Sequence, residues 1–579
     1  MNDIPQSNPK KEFHIKGGEK ILSILHSFSA TEKVIFSFLI LIALVSALIM
    51  AWEVNRMFLV PIPAHGGSLT EGIVGLPRSI NPVLAFSDAD RDLSTLIYSG
   101  LMKYNHGVLV NDLAEKYSIS EDGLVYTFIL KDNIYFHDGK PLTTDDIEFT
   151  IQKIQDSVLK SPKRADWANV IIKKISPSEI QFILKQPYSP FLSNTTIGIL
   201  PKHIWKNVDA DQFIFSQYNI EPIGSGPYKL KDIKRDAGGI PQSYDLVSFN
   251  KYYDNEAYIS SFTIFFYPNE KDLIEAFNNG KVESIASISP PEAVKIASST
   301  NARILDTPLP RIFGVFFNQN NAPVLANKEV RQALNMSIDK KKIVEKVLLG
   351  YGISMDSPIP IGIIENATST PSNKDRAKEL LAKSGWLINK DGILEKKDKK
   401  STQILEFSIT TADSPDLKQV AEIVKSEWES IGAKVAIKIF EYGDLSQNII
   451  KTRKYDSLLF GEFIGKDLDL YAFWHSSQRN SPGLNVSMYV NSKADKLLED
   501  ARAASDENTK KNIYESFNKI IQDEVPAVFL YSPEYMYIVP KKVQGFQFGP
   551  ISTPSDRFYN LNKWYIATDN VWQIFVNNK

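Results

Sequence analysis

The sequence contains no cysteine in 579 residues. That removes disulfides, thiolate zinc sites, iron–sulfur clusters, thiol nucleophiles and an N-terminal lipidated cysteine together. It leaves the compartment open, because a large core needs no disulfide outside the cell. An excess of basic charge is also missing: 66 Lys and Arg against 68 Asp and Glu leave a formal net charge of -2. No nucleic-acid partner is expected from such a balance. The seven histidines (His14, His26, His65, His106, His137, His203 and His475) form no HExxH or other close ligand spacing, so no metal site is expected. A GxxxxGK[ST] phosphate loop and a GxSxG nucleophile elbow are both lacking. "GSGPY" (Gly224–Tyr228) has two glycines but neither the third nor the helix-forming run of a dinucleotide loop. No cofactor is expected, and the missing motifs lower the expectation of catalysis without abolishing it. Counting alone leaves a carboxylate dyad open in a chain so rich in acids.

One long apolar run is present. "KVIFSFLILIALVSALIMAW" (Lys33–Trp52) is nearly unbroken, and roughly 20 such residues cross a bilayer core. Lys10, Lys11, Lys16, Lys20 and Lys33 precede it and outnumber the basic residues just after it, which places the N-terminus in the cytoplasm and the bulk of the chain outside. A cleaved signal peptide is the rival reading, but its charged region would be unusually long and no small-x-small site follows. A buried core helix is the other alternative, and the Gly/Ser/Pro-containing stretch "PIPAHGGSLTEG" (Pro61–Gly72) that follows argues for a tether. A retained single-span anchor in the cell membrane is expected.

Beyond the tether, short strands and amphipathic helices alternate without a repeat. "LVYTFIL" (Leu124–Leu130) reads as a strand after the Asp122-Gly123 turn, and "NIYF" (Asn133–Phe136) as its returning partner. In "YFHDGKPLTTDD" (Tyr135–Asp146), Asp138-Gly139 signals another turn, and Thr143 or Thr144 caps a helix with Asp145 and Asp146 in its first turn. Each polar group there has a local structural role; a catalytic or metal-binding His137–Asp138 pair is the competing reading. Helices are also expected over "NKDRAKELLAKSGW" from Asn373, over Asn327–Gly350, and over "KKNIYESFNKIIQDEVP", where Ile513, Tyr514, Phe517, Ile520 and Ile521 share one face. Two α/β lobes joined by crossing segments fit this alternation better than one barrel.

Taken in order, "LPRSINPVL", the block "LAEKYSISEDGLVYTFILKDNIYFHDGKPLTTDDIEFTIQKI", "PIGSGPYKL", "AFNNGKVESI", "FFNQNNAPVLANKEVRQALNMSIDKKKIVEKVLLGYG", "YDSLLFGEFIGKDLDLYAFWHSSQ", "VQGFQFGP" and "NLNKWYI" resemble the extracytoplasmic solute-binding proteins, family 5 (peptide/nickel type), of ATP-binding-cassette (ABC) transporters. The likeness runs from about Leu76 to the end. It implies an α/β, periplasmic-binding-protein-like class II fold: two lobes with a hinge plus an extra subdomain. The expected organisation is a cytoplasmic tail 1–33, an anchor 34–55, a linker 56–72 and a solute-binding domain 73–579. Within that domain, lobe I takes about 73–105, 185–310 and 535–579, the subdomain about 106–184, and lobe II about 311–534. The partners implied are an oligopeptide or other small solute, such as a metal chelate or oligosaccharide, and the permease subunits of a transporter. An extracytoplasmic hydrolase on this scaffold is the alternative of a different class.

A charged ligand terminus closed off from water needs a fixed opposite charge. Peptide binders of the family often carry Gly-Trp-x-x-Asp in the late cleft segment, the Asp meeting the peptide ammonium. Here Glu462 stands at the Trp position and Gly465 at the Asp position. Glu462, Asp467 and Asp469 are the candidate substitutes, set against helix capping before "LYAFW"; Tyr471 and Trp474 are candidates for the cleft lining, set against core packing. Phe317 and Asn318, on the strand expected to cross near the hinge, complete the candidate ligand-binding set. Arg311 is a further candidate to meet a carboxylate, against the ordinary reading of an exposed arginine.

Overall fold

The computed structural model describes residues 28–105, 107–297, 302–360, 370–397, 401–465, 468–504, 506–547 and 549–576. The described chain forms two compact units: residues 28–64 with 568–576, and residues 65–567.

In the first unit a 28-residue helix, Ala30–Met57, starts at a capping box in which Ser29 and Glu32 exchange hydrogen bonds. It buries none of its residues, and its apolar side chains, Phe38, Leu41, Leu44 and Leu48 among them, stand exposed all round. At about 1.5 Å per residue the helix is long enough to cross a bilayer's hydrocarbon core. The strand after it, Leu59–Pro63, pairs antiparallel with Thr568–Trp572 near the C-terminus, Leu59 opposite Trp572 and Pro63 opposite Thr568. Trp572 Nε1 donates to Asn55 Oδ1 (2.9 Å), and its ring stacks on Phe58.

The second unit is built on two large hydrophobic cores. The sheet of the first core places Ser68–Val74 parallel to Ser261–Tyr267, which continues antiparallel into Pro241–Ser248 and Tyr228–Arg235. The sheet of the second places Glu406–Ala412 parallel to both Lys434–Phe440 and Ser457–Phe463, the last pairing antiparallel with Arg311–Phe317. One 14-residue strand, Ala527–Pro540, belongs to both. Its first part pairs with Arg311–Phe317 and its second with Ala302–Pro308. The break between these two partners, Leu309-Pro310, stays close to the long strand through Leu309 N–H donating to the Pro533 carbonyl (3.1 Å). Both crossings between lobes therefore lie side by side, as a hinge of few residues requires.

Helix periodicity supplies the lobe II packing. In Pro415–Glu429 the buried side chains Leu417, Val420, Ala421, Val424 and Trp428 follow a three-four spacing, and Trp428 also donates from Nε1 to the Leu334 carbonyl (3.0 Å). Lobe I is braced by a buried charge cluster. Arg557 reaches Glu71 Oε1 (2.6 Å) and Asp92 Oδ2 (2.6 Å), and Tyr537 O–H donates to Glu71 Oε2 (2.6 Å). Strand, helix and crossing strand are thereby tied to the C-terminal loop, with one guanidinium shared by two carboxylates where solvation is lost.

A four-stranded sheet, Ala114–Ile119, Val125–Leu130, Glu179–Ile183 and Ile171–Lys174, is inserted into lobe I. The helix Thr144–Gln155 packs with it, capped at Thr143 by a box with Asp146. The expected return strand Asn133–Phe136 does not form. Asn133 takes a left-handed conformation (φ 59°) and only an isolated bridge, Tyr135 to Pro141, follows. The true neighbours of Val125–Leu130 are Ala114–Ile119 and Glu179–Ile183.

Candidate functional site

The turn at His137 is joined to the turn at Gly224. His137 N–H donates to the Gly224 carbonyl (2.8 Å), and Gly224 N–H donates back to His137 Nδ1 (3.3 Å). The proton therefore sits on Nε2, which donates to the Gly226 carbonyl (3.1 Å). Burial pushes this imidazole down to about 4. Asp138 turns away, accepting from His203 Nε2 (2.7 Å) and Lys140 N–H (3.1 Å). Both ring nitrogens of His137 and both carboxylate oxygens of Asp138 are engaged in structural contacts. Gly226 lets this turn pack on the backbone at Ile97, where a Cβ would lie 2.6 Å away.

A cavity of about 620 Å³ opens between the lobes, within the range of small-ligand sites. Lobe I supplies one wall from the helix Asp88–Ile97 and the segments around Met102, Ser193 and Ser552. Ser94 and Ser555 line it, and their hydroxyls find no hydrogen-bond partner among the described residues. Lobe II supplies Arg311, Phe463, Ile464, Gly465 and Asp469. The strand Ser457–Phe463 leads into that wall, and its ladder to Glu406–Ala412 covers only Ser457 and Leu458. The two lobes meet beside the cavity. Ser189 N–H donates to the Arg502 carbonyl (3.0 Å), and Tyr188 O–H donates to Asp469 Oδ2 (3.4 Å).

The candidate residues fall on both sides of that wall. Asp469 lines the cavity and is already held by Arg502, whose Nε and Nη2 donate to its two oxygens at 2.6–3.0 Å. Tyr471 stacks under the same guanidinium, 3.8 Å from ring centroid to Cζ, and against His475. Glu462 points the other way, into the lobe II core, 5% exposed with neither oxygen hydrogen-bonded among the described residues. Burial drives its carboxyl well above the usual range, countered only in small part by the nearby Trp474 indole. Trp474 is fully buried against Phe316 and Phe529. Phe317 and Asn318 lie at the end of their strand remote from the hinge, about 20 Å away at ordinary strand rise. Phe317 packs on Trp428, and Asn318 Oδ1 accepts from Asn320 and Asn321 N–H. Asp467 lies outside the described residues. Arg311, at the hinge end of that strand, is the one of these sites to place a cation in the cavity wall.

Two lobes sharing adjacent crossing strands and walling one cavity define a ligand-binding protein of the solute-receptor class. A sequence model of the family described as "Bacterial extracellular solute-binding proteins, family 5 Middle" matches residues 108–483, well over half the chain, and the chain belongs to that family. It is 29% identical over 523 residues to the oligopeptide-binding protein AppA of Bacillus subtilis (strain 168), covering 87% of this chain and 92% of the relative. The structure of that AppA in complex with a nonapeptide matches at a TM-score of 0.68 and 28% identity, over 87% of this chain and 100% of that one. NikZ from Campylobacter jejuni, solved in complex with Ni(L-His), matches at a TM-score of 0.69 and 26% identity, over 86% and 99%.

Proposed function

We propose that this chain is a membrane-anchored extracytoplasmic receptor. In this reading it captures oligopeptides between its lobes and delivers them to the permease subunits of an ABC transporter, without catalysing a reaction. The observation that carries it is the interlobe cavity with a partly unpaired strand leading into its wall. Extended peptides can pair with such an edge while their side chains occupy the surrounding space. The likeness to a receptor solved with a nonapeptide supports the same ligand class. The apolar helix Ala30–Met57, with lysines before it, supports a single span with the N-terminus inside. Tethering keeps the receptor near its permease at high effective concentration.

The likeness to NikZ favours a second reading, a small metal chelate in the same cavity. Native mass spectrometry of the purified chain, repeated after denaturation, separates the two. A ladder of peptide masses released on unfolding is the expected result, and a single non-peptide species replaces the first reading with the second.

A further inference from the structure

Each charged side chain lining the cavity has a described partner except one. Asp88 pairs with Arg91 (3.2 Å), Lys103 with Asp112 (3.2 Å) and Asp254 (3.0 Å), Lys163 with Asp166 (3.8 Å), and Asp469 with Arg502 (2.6 Å). Asp556 accepts from Ser552 N–H (2.7 Å), Thr553 N–H (3.0 Å) and the Thr553 hydroxyl (2.8 Å). Arg311 has no ion pair and no side-chain hydrogen bond among the described residues. Its guanidinium lies only over the Phe463 ring, 6.0 Å from the centroid. It is half-buried already. In the same corner Gly465 stands with φ +76° and open space where a Cβ would be.

We infer that the cleft selects ligands bearing a carboxylate, a peptide C-terminus or an acidic side chain, and that Arg311 is the residue that receives it. The inference rests on the peptide reading of the cavity and goes beyond it by naming the charge that is recognised. Closing the lobes over a ligand removes water from Arg311, and an unpaired guanidinium in that position is costly. A carboxylate removes the cost, because its two oxygens match the planar fork of donors. Among the described residues, an ammonium group presented to the same corner meets a cation and no unpaired acid. The Phe463 ring, 6.0 Å away, adds a weak attraction for the guanidinium from the same wall.

The test uses the full chain in detergent and isothermal titration with four tetra-alanine probes. They are the free acid, its C-terminal amide, an amide in which one alanine is glutamate, and the N-acetylated free acid. Wild type is expected to bind at least one of the free acid and the glutamate amide at least tenfold more tightly than the plain amide, and to bind the acetylated acid within a few-fold of the free acid. Tight binding of the glutamate amide assigns the carboxylate to a side chain; weak binding assigns it to the terminus. Arg311→Gln is expected to bind acid and amide alike, and Arg311→Lys to keep part of the preference, with unliganded melting temperatures showing that both variants fold. Equal binding of free acid, glutamate amide and plain amide by wild type, or an undiminished preference for the carboxylate-bearing probe in Arg311→Gln, overturns the inference while leaving peptide binding intact. Failure of wild type to bind any of the four overturns the peptide reading itself and this inference with it.

Discussion

At the scale of single residues, two buried titratable groups give stability opposite dependences on pH. His137 is neutral in the folded chain and its imidazole is pushed down to about 4 by burial, whereas an unfolded histidine titrates near 6.5. Between these values the unfolded chain binds the extra proton, so stability is complete above about pH 6.5 and falls as the pH drops toward 4. The loss attributable to His137 by pH 4.5 is about 2–3 kcal/mol. Urea unfolding at pH 7 and 4.5 should show that much less acid sensitivity in His137→Gln, whose amide supplies one donor and one acceptor. Glu462 runs the other way. Its carboxyl is held protonated in the core, so the folded state is favoured below the unfolded pKa and progressively penalised as the pH rises above it. Glu462→Gln, nearly isosteric and never charged, should raise stability at pH 8 by about 1 kcal/mol or more and change it little at pH 4. Thermal melts at the two pH values measure the difference. The acid at 462 is plain in the sequence; its direction is not. Glu462 and Phe463 are successive residues of one strand, so they face opposite sides, and only the pairing register decides which one meets the cleft.

Structural elements were legible in proportion to how local their cause is. Thr143 and Asp146 cap their helix as the Thr-Thr-Asp-Asp spacing predicts, because the capping box closes within four residues. The return strand Asn133–Phe136 was misread for a nonlocal reason. The partners of Val125–Leu130 come from before it and from some 50 residues after it, and Asn133 in a left-handed conformation turns the chain away. The scaffold role of His137 was legible, but its partners Gly224 and Gly226 lie in a distant turn. Likewise, Asp469 was visible as a candidate anion, while the helix Ser492–Ala503 that brings Arg502 to it could not be placed. That pair, with Tyr188 above it, forms a contact between the lobes. Asp469→Asn removes the charge that holds Arg502 within lobe II and so loosens the surface that Tyr188 and Ser189 meet from lobe I. The variant should release a bound tetrapeptide faster and bind it roughly 3–10-fold more weakly, a cost of ~1 kcal/mol. Stopped-flow dissociation reads this directly, with an unchanged melting temperature of the empty protein separating it from unfolding.

For the whole molecule, the two-lobed α/β arrangement was legible because its motifs occur in a fixed order along most of the chain, and the matching family model and solved relatives bear this out. What no local pattern discloses is that a single strand, Ala527–Pro540, serves both sheets. Nor does periodicity disclose the partner of Leu59–Pro63, which lies more than 500 residues away at Thr568–Trp572. That ladder joins the segment emerging from the apolar helix to the other end of the chain, so the binding unit has two covalent exits, after Ala64 and before Thr568. In the anchored arrangement proposed above, a protease that nicks either exit leaves the receptor on the cell: the severed strand stays zipped to its partner, and the second exit is intact. Shedding into the medium needs a second cut, or the melting of five residue pairs, so a single encounter with a hostile protease costs the cell no receptor.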